Sequence, residues 1–210
     1  MTTKILKRYT SFPALIYMLQ HKSLTLLNPG TWDDGNDKHC LEQYKEKKGL
    51  SVLLAACFTD APETYHHWRV FAGDSSGCCV SFLKAPLLKK LDSTRGIKYG
   101  EVDYRTLAKM RATAPTVDEL PFIKRSGYAD ESEFRVVYEA TQGRLTKKDV
   151  SIPIDCIDQI AFNPWINRSL YSAAKRLLLT IPDCKALTDK IVRSTLTGNT
   201  AWKEIVDDAA

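Results

Sequence analysis

Arg8 in Lys7-Arg8-Tyr9, and the pair Ser75-Ser76 in Gly73-Asp74-Ser75-Ser76-Gly77, are residue types suited to a phosphorylated ligand. A guanidinium can clamp a phosphate through two parallel hydrogen bonds, and serine hydroxyls can hold a ribose or phosphate oxygen. Further along, Glu131-Ser132-Glu133-Phe134-Arg135 opens an expected strand. Alternate residues of a strand share a face, so two carboxylates and a guanidinium would line up at a spacing of two. That row is unusual for a core strand. Its structural alternative is an exposed edge with cross-strand ion pairs, where charges also deter aggregation.

Two other clusters carry chemistry-bearing types. Trp32-Asp33-Asp34-Gly35-Asn36-Asp37 crowds three carboxylates and an amide into six residues. Such a group can coordinate a hard cation, but it lacks the order and terminal Glu of an EF-hand loop. Asp and Asn equally cap helices and bend turns, so no metal site is assigned. In Glu63-Thr64-Tyr65-His66-His67-Trp68-Arg69, two consecutive histidines on a helix project about 100° apart, so at most one faces a given pocket. His67 is taken as the candidate for ligand contact. Trp68 and Phe71, three apart, share a helix face and read as core.

These residues have to be positioned by local elements. Lys4 to Tyr9 alternates as a strand, Ser11 caps a helix with Pro13 in its first turn, and Ser23 to Leu27 is a second strand ending at Asn28-Pro29-Gly30. Thr31 to Asp37 reads as a polar turn and Cys40 to Lys48 as a helix. Ser51 to Phe58, a run of Val, Leu, Ala and Phe, reads as a central strand buried on both faces. Glu63 to Phe71 follows as a short helix and Gly77 to Phe82 as a strand. More strands are expected at Ile97 to Asp103, Glu133 to Ala140, Val150 to Ile154 and Gln159 to Phe162. In Ser169 to Ile181, the residues Leu170, Ala173, Ala174, Leu177, Leu178 and Ile181 recur at helical spacing and should dock on a sheet. Strands and helices do not alternate regularly and no Walker or Rossmann glycine motif is present. The pattern therefore predicts an α+β fold with a mixed or antiparallel sheet core flanked by helices. One domain is expected over 1–182, with 183–210 as a helical tail packed on it.

Composition bounds the function. The 210 residues are 44% hydrophobic and 26% charged, which excludes a mainly disordered, collagenous or coiled-coil chain. The longest apolar runs fall far short of the roughly 20 residues that cross a bilayer, and no signal-peptide core follows Met1, so a cytoplasmic protein is expected. The net charge of +5 is carried by residues 84 to 111, where eight Lys and Arg face three Asp and Glu. This is the one candidate nucleic-acid patch; a solvated helix face plus a strand edge explains it as well. The six cysteines show no Cys-x-x-Cys pair, and Cys78 and Cys79 point to opposite faces of a strand, so free thiols are expected and zinc is not. Cys57 with His66 or His67 as its base would make a nucleophile, but an inert buried thiol is the better reading.

Lys7-Arg8-Tyr9, Trp32 to Asp37, Cys57-Phe58-Thr59, Glu63 to Phe71, Ser76-Gly77 to Phe82, Glu131 to Arg135 and Phe162-Asn163-Pro164-Trp165 follow one another in an order that resembles the bacterial domain-of-unknown-function family 2971. That resemblance spans nearly the whole chain and implies a bacterial or phage-related protein. More distantly, Arg8 in the opening strand, the serine turn before a later strand, and the Glu-x-Glu strand resemble the ordered Arg, Ser, Glu set of mono-ADP-ribosyltransferases. The resemblance implies an ADP-ribosyltransferase-like fold with NAD as substrate and an unidentified acceptor. It places Arg8 at the NAD phosphates, Ser75 or Ser76 near the nicotinamide ribose, and Glu133 on the ribose hydroxyl with Glu131 as its companion. Breaking the nicotinamide glycosidic bond develops positive charge at the ribose, which a fixed carboxylate stabilises.

The expected function is accordingly an NAD-consuming enzyme of the ADP-ribosyltransferase or NAD glycohydrolase type, in a bacterial defence or toxin setting. Catalysis is assigned to Glu133 and Glu131, and NAD contact to Arg8, Ser75, Ser76 and His67. Two alternatives belong to other classes: a nucleic-acid-directed protein using the basic segment, with Asp33 to Asp37 holding Mg²⁺, or a non-enzymatic partner-binding subunit. The transferase reading requires Arg8, a serine of the 75–76 pair and Glu133 to line one cleft.

Overall fold

The structure, a computed structural model, describes residues 4–209; residues 1–3 and 210, at the outer ends of the expected domain and tail, lie outside the described residues. The chain opens with β1 (Ile5–Thr10), α1 (Phe12–His21) and β2 (Ser23–Leu27), then α2 (Gly35–Lys47), β3 (Val52–Thr59), α3 (Tyr65–Phe71), β4 (Cys78–Leu83) and α4 (Lys84–Asp92). There follow β5 (Ile97–Glu101), β6 (Asp103–Arg105), α5 (Leu107–Ala112), β7 (Ile123–Arg125), β8 (Glu133–Ala140) and β9 (Lys147–Ser151). The chain ends with β10 (Ile157–Phe162), α6 (Arg168–Leu179), β11 (Ile191–Arg193) and α7 (Thr200–Asp207). This is an α+β fold: a nine-stranded sheet, antiparallel except where β10 meets β11, flanked by helices and accompanied by the small parallel pair β6–β7.

Local chemistry starts the helices. Ser11 accepts from the Ala14 amide ahead of α1, and Thr64 accepts from the His67 amide ahead of α3. The stretch expected as a polar turn around Trp32 does more than turn. Asp34 accepts from the amides of Asn36 and Asp37 and so starts α2 at Gly35, which brings Asp37 into a buried first turn. Leu41 and Tyr44 on the same helix pack against Leu53, Ala55 and Val137, burial that outweighs the poor helix propensity of Gly35 and Asn36.

β3 is buried on both faces, as its apolar run predicts. Val52, Leu54, Ala56 and Phe58 face the main core, while Leu53 and Ala55 face a second, smaller core beneath α2. One edge of β3 is fully paired with β8, from Val52↔Ala140 to Thr59↔Glu133. The other edge meets β1 only at Lys7↔Thr59 and β2 only at Leu27↔Ala55. Between those two contacts, residues 56–58 have no strand partner on that side, and the sheet forks.

Two elements differ from expectation. On α6 the buried stripe runs through Ala174, Leu178 and the following Ile181, while Leu170 and Leu177 stay exposed, so only part of the periodic apolar face docks. In the stretch expected as a helical tail, Cys184, Leu187 and Ile191 join the main core and β11 extends the sheet. Short hydrophobic patterns of this kind do not distinguish a strand from a helix until pairing is available. No helix among the described residues is long and apolar enough to cross a membrane.

Candidate active site

The fork opens into a cleft of about 600 Å³ whose walls come from four places: Lys7, Arg8 and Tyr9 on β1, Ala55 to Thr59 on β3, Trp32, Asp33, Asp34 and Asp37 around the start of α2, and His67 with Phe71 on α3. Lys124, Tyr128, Glu131 and Glu133 close the remaining side. Arg8, His67, Glu131 and Glu133 thus face one space. Lys7, Thr59 and Glu133 are successive partners across β1, β3 and β8 and share a sheet face. Arg8 leaves β1 on the opposite face and reaches into the fork, where Nη1 donates to the Cys57 carbonyl at 3.2 Å. That carbonyl is available because β1 and β3 have separated. Among the described residues no carboxylate pairs with Arg8; burial lowers its pKa, yet it stays a cation and presents unspent positive charge to the cleft.

Glu133 and Glu131 differ in surroundings. Arg135 donates Nε to Glu133 Oε1 at 2.6 Å and Nη2 to Oε2 at 2.9 Å. Its Nη1 and Nη2 also reach Asp37 Oδ1 and Oδ2 at 2.8 Å and 2.7 Å, and Nη1 donates to the Pro121 carbonyl at 3.0 Å. All five N–H donors of Arg135 are engaged inside the protein, with the Trp32 ring 5.1 Å from its guanidinium carbon. Burial alone would raise the Glu133 carboxyl, but Arg135 and Lys124 bring it below the usual carboxylate range. Glu133 is only 6% exposed, so the solvated-edge alternative does not hold. The β8 ladder carries it inward.

Glu131 is not on the strand. It ends a 3-10 turn, and Ser132 at φ 42° takes a left-handed conformation before β8 begins at Glu133. Alternation therefore does not align 131 with 133; Lys124 does. Its Nζ donates to Glu131 Oε2 at 2.6 Å and to Glu133 Oε2 at 3.4 Å, and lies 3.9 Å from Asp37 Oδ2. The Tyr128 ring centre is 4.7 Å away. Burial raises the Glu131 carboxyl, with Lys124 opposing and the charges of Glu133 and Asp130 adding to it.

His67 stacks on Tyr9 with ring centres 5.5 Å apart, and its backbone N–H donates to Thr64 Oγ1. Thr64 Oγ1 also lies 2.5 Å from Nδ1, and Nε2 has no hydrogen-bond partner in normal geometry. Burial lowers its pKa, the Glu131 backbone and Asp130 oppose this, and His66 and Lys7 add to it, which favours the neutral ring. His66 is exposed and turns toward Asp130, 3.7 Å away. Phe71, expected in the core with Trp68, is instead 38% exposed at the cleft. The Cys57 thiol lines the cleft, but burial and the Glu133 charge push its pKa well up. It is no ready nucleophile.

Ser75 and Ser76 are absent from the cleft lining, so the expected line-up of Arg8, a serine of this pair and Glu133 is met by Arg8 and Glu133 only, and these leave the sheet on opposite faces, Arg8 reaching the cleft through the fork. Ser76 donates its amide and hydroxyl to Asp74 Oδ1 at 2.7 Å and 2.5 Å, closing a turn in which a Cβ on Gly77 would sit 2.0 Å from the Ala72 carbonyl oxygen. Asn163 secures that turn from β10: its side chain donates to the Asp74 carbonyl and its amide to the Gly77 carbonyl. Among the described residues no group of three or more His, Cys, Asp or Glu is placed to hold a metal ion. All six cysteines are free. In the basic segment Lys84, Lys98, Arg105 and Lys109 are each in an ion pair.

No protein-family model matches the chain, so the resemblance to family 2971 gains no support there, and no curated protein matches it either. Among solved structures the chain is similar to DarT of Thermus sp. 2.9. The complex with NAD+ aligns at TM-score 0.47 and 11% identity, over 92% of this chain and 96% of that one. The complex with carba-NAD+ gives 0.46 and 12% over 93% and 97%, and that with ADP-ribosylated ssDNA gives 0.42 and 11% over 86% and 90%. At such values the chemistry of the cleft has to be read from its own side chains.

Lys124 and Tyr128 carried no sequence signal. Lys124 precedes Glu131 by seven residues and Glu133 by nine, spacings with no meaning on a single element. Asp37 was visible only as one member of an acidic run.

Proposed function

We propose that the cleft binds NAD+ and breaks its nicotinamide–ribose bond, passing ADP-ribose to an acceptor or to water. The supporting observation is the convergence, in one space of about 600 Å³, of an unpaired guanidinium at Arg8, ring faces at Trp32, His67, Phe71 and Tyr128, and the carboxylates Glu131 and Glu133. Small-molecule sites run from roughly 300 to 1,000 Å³ with a few convergent polar groups, and a dinucleotide needs this combination. Arg8 supplies charge for the diphosphate and aromatic faces receive the bases. A carboxylate accepts from a ribose hydroxyl and stabilises positive charge at C1′ as the bond lengthens.

The electron balance needs no cofactor. The C1′–N1 pair leaves with nicotinamide, whose ring nitrogen loses its positive charge; the acceptor's lone pair then bonds C1′ and its proton passes to solvent or a carboxylate. Ser75 and Ser76 have no part in this reading while the 74–77 turn keeps its conformation.

Incubation with NAD+ and chromatographic measurement of nicotinamide tests it. Release by the folded protein, reduced about a hundredfold to a thousandfold in Glu131→Gln, is the expected result, since removing one preorganised electrostatic group has that effect. No release and no ADP-ribose transfer in cell extract would count against it. In the defence or toxin setting, induced expression should deplete cellular NAD+ and halt growth, and Glu131→Gln should do neither.

A further inference from the structure

The Glu-x-Glu row offers two carboxylates to the cleft, and the structure separates their roles. Both Glu133 oxygens accept from Arg135, and Oε2 is also within reach of Lys124. Both Glu133 oxygens are thus engaged by cations of its own protein. Glu131 has one cation, Lys124, on Oε2 alone. Its other oxygen keeps its lone pairs for a ligand hydroxyl. Lys124 is in turn the common neighbour of Asp37, Glu131 and Glu133, covered by the Tyr128 ring. We propose that Glu131 is the carboxylate that meets the substrate, that Glu133 is its fixed support, and that Lys124 is the positioning residue holding Glu131 ionised and aimed.

This division rests on the NAD-cleaving reading of the same cleft. Its electrostatics follow from what surrounds Glu131. Glu133 on β8 and the adjacent Asp130 repel its charge, and Asp37 on α2 competes for the same lysine. The Tyr104 phenol on β6 and the neutral His67 on α3 bring no positive charge. Among the described residues Lys124 on β7 is the cation that pairs with it. Three carboxylates share two cations, so deleting Lys124 leaves Arg135 alone against all three, with Glu131 the one Arg135 does not touch. Glu131 should then keep its proton to higher pH and lose the charge its role requires over that range.

The test compares the intact protein with Lys124→Met and Lys124→Arg by carbon NMR titration of the glutamate carboxyls, the Glu131 signal being identified by its loss in Glu131→Gln. Lys124→Met should raise the Glu131 midpoint by about one to three pH units, the range an opposite charge at contact distance accounts for, and Lys124→Arg should restore most of it. Nicotinamide release should show an acid limb displaced by the same amount, with a fall in kcat and little change in KM. Lys124→Gln replaces the methionine variant if that one does not fold. An unmoved Glu131 midpoint in a folded, uncharged variant overturns the assignment of Lys124 whether or not NAD+ is turned over. A shifted midpoint in Lys124→Met, with the wild-type protein inert to NAD+, sinks the NAD reading and Glu131's catalytic role with it, and leaves Lys124 as its counterion. Equal activity loss in Lys124→Met and Lys124→Arg without a displaced limb assigns Lys124 to structure only and overturns the proposal.

Discussion

Arg135 grips Glu133 from two positions along the same strand, Nε to Oε1 at 2.6 Å and Nη2 to Oε2 at 2.9 Å, with its side chain 0% exposed. A neighbouring pair of this kind on a surface strand contributes little; here Asp37, 98 positions away from Arg135 in sequence, completes the guanidinium and joins α2 to the sheet. Charge buried to this degree is tolerable only when every donor and acceptor is met, and at Arg135 every donor is.

Arg135→Met should therefore leave Asp37 and Glu133 with Lys124 as the one cation they share, at a cost of about 3 to 5 kcal/mol. Glu133→Gln should also lose stability, because one member of a buried pair is removed. Urea unfolding monitored by circular dichroism measures both. A midpoint unchanged in Arg135→Met would mean that the pair adds nothing to folding.

Arg8→Gln keeps a donor for the Cys57 carbonyl but removes the charge. Binding of NAD+ should weaken by roughly ten- to a hundredfold, as for loss of a charge-assisted hydrogen bond of about 1.5 to 3 kcal/mol, while thermal stability barely moves. Titration calorimetry decides. Undiminished affinity would place the diphosphate elsewhere.

Ser76→Ala breaks the hydroxyl bond to Asp74 and leaves the amide bond in place. The variant should turn over NAD+ at the wild-type rate and lose about 1 kcal/mol or less of stability. A tenfold fall in turnover would show that the serine turn joins the site when ligand is bound.

His67 is held neutral by burial, so its folded pKa lies below the ordinary histidine value. Its contribution to stability is present above the unfolded pKa of about 6.5 and is lost as pH falls through the depressed folded value. His67→Asn should flatten stability against pH in that mildly acidic window. Thermal midpoints measured at intervals from neutral to mildly acidic pH in both proteins provide the comparison, and identical slopes would refute it.

Features that depend on neighbours in sequence were legible without coordinates. The opening strand, helix and strand, the cap at Ser11 and the doubly buried β3 follow from side-chain alternation and from a hydroxyl that reaches the amide three residues on. Arg8, Glu131, Glu133 and His67 could be singled out because guanidinium, carboxylate and imidazole groups are rarely idle in such patterns. Whether Glu133 is solvated or buried, and that Ser76 closes a turn outside the cleft, depended on strand pairing and on Asn163 arriving from β10. Lys124 became visible only when β7 was laid against the turn before β8. The sheet fork exists because β1 and β2 each touch β3 once, a matter of register between segments far apart in sequence, such as Lys7 and Thr59. Local propensity is blind to such register, because the free energy that selects it is the burial of β3 on two faces and the pairing of charges that burial strands.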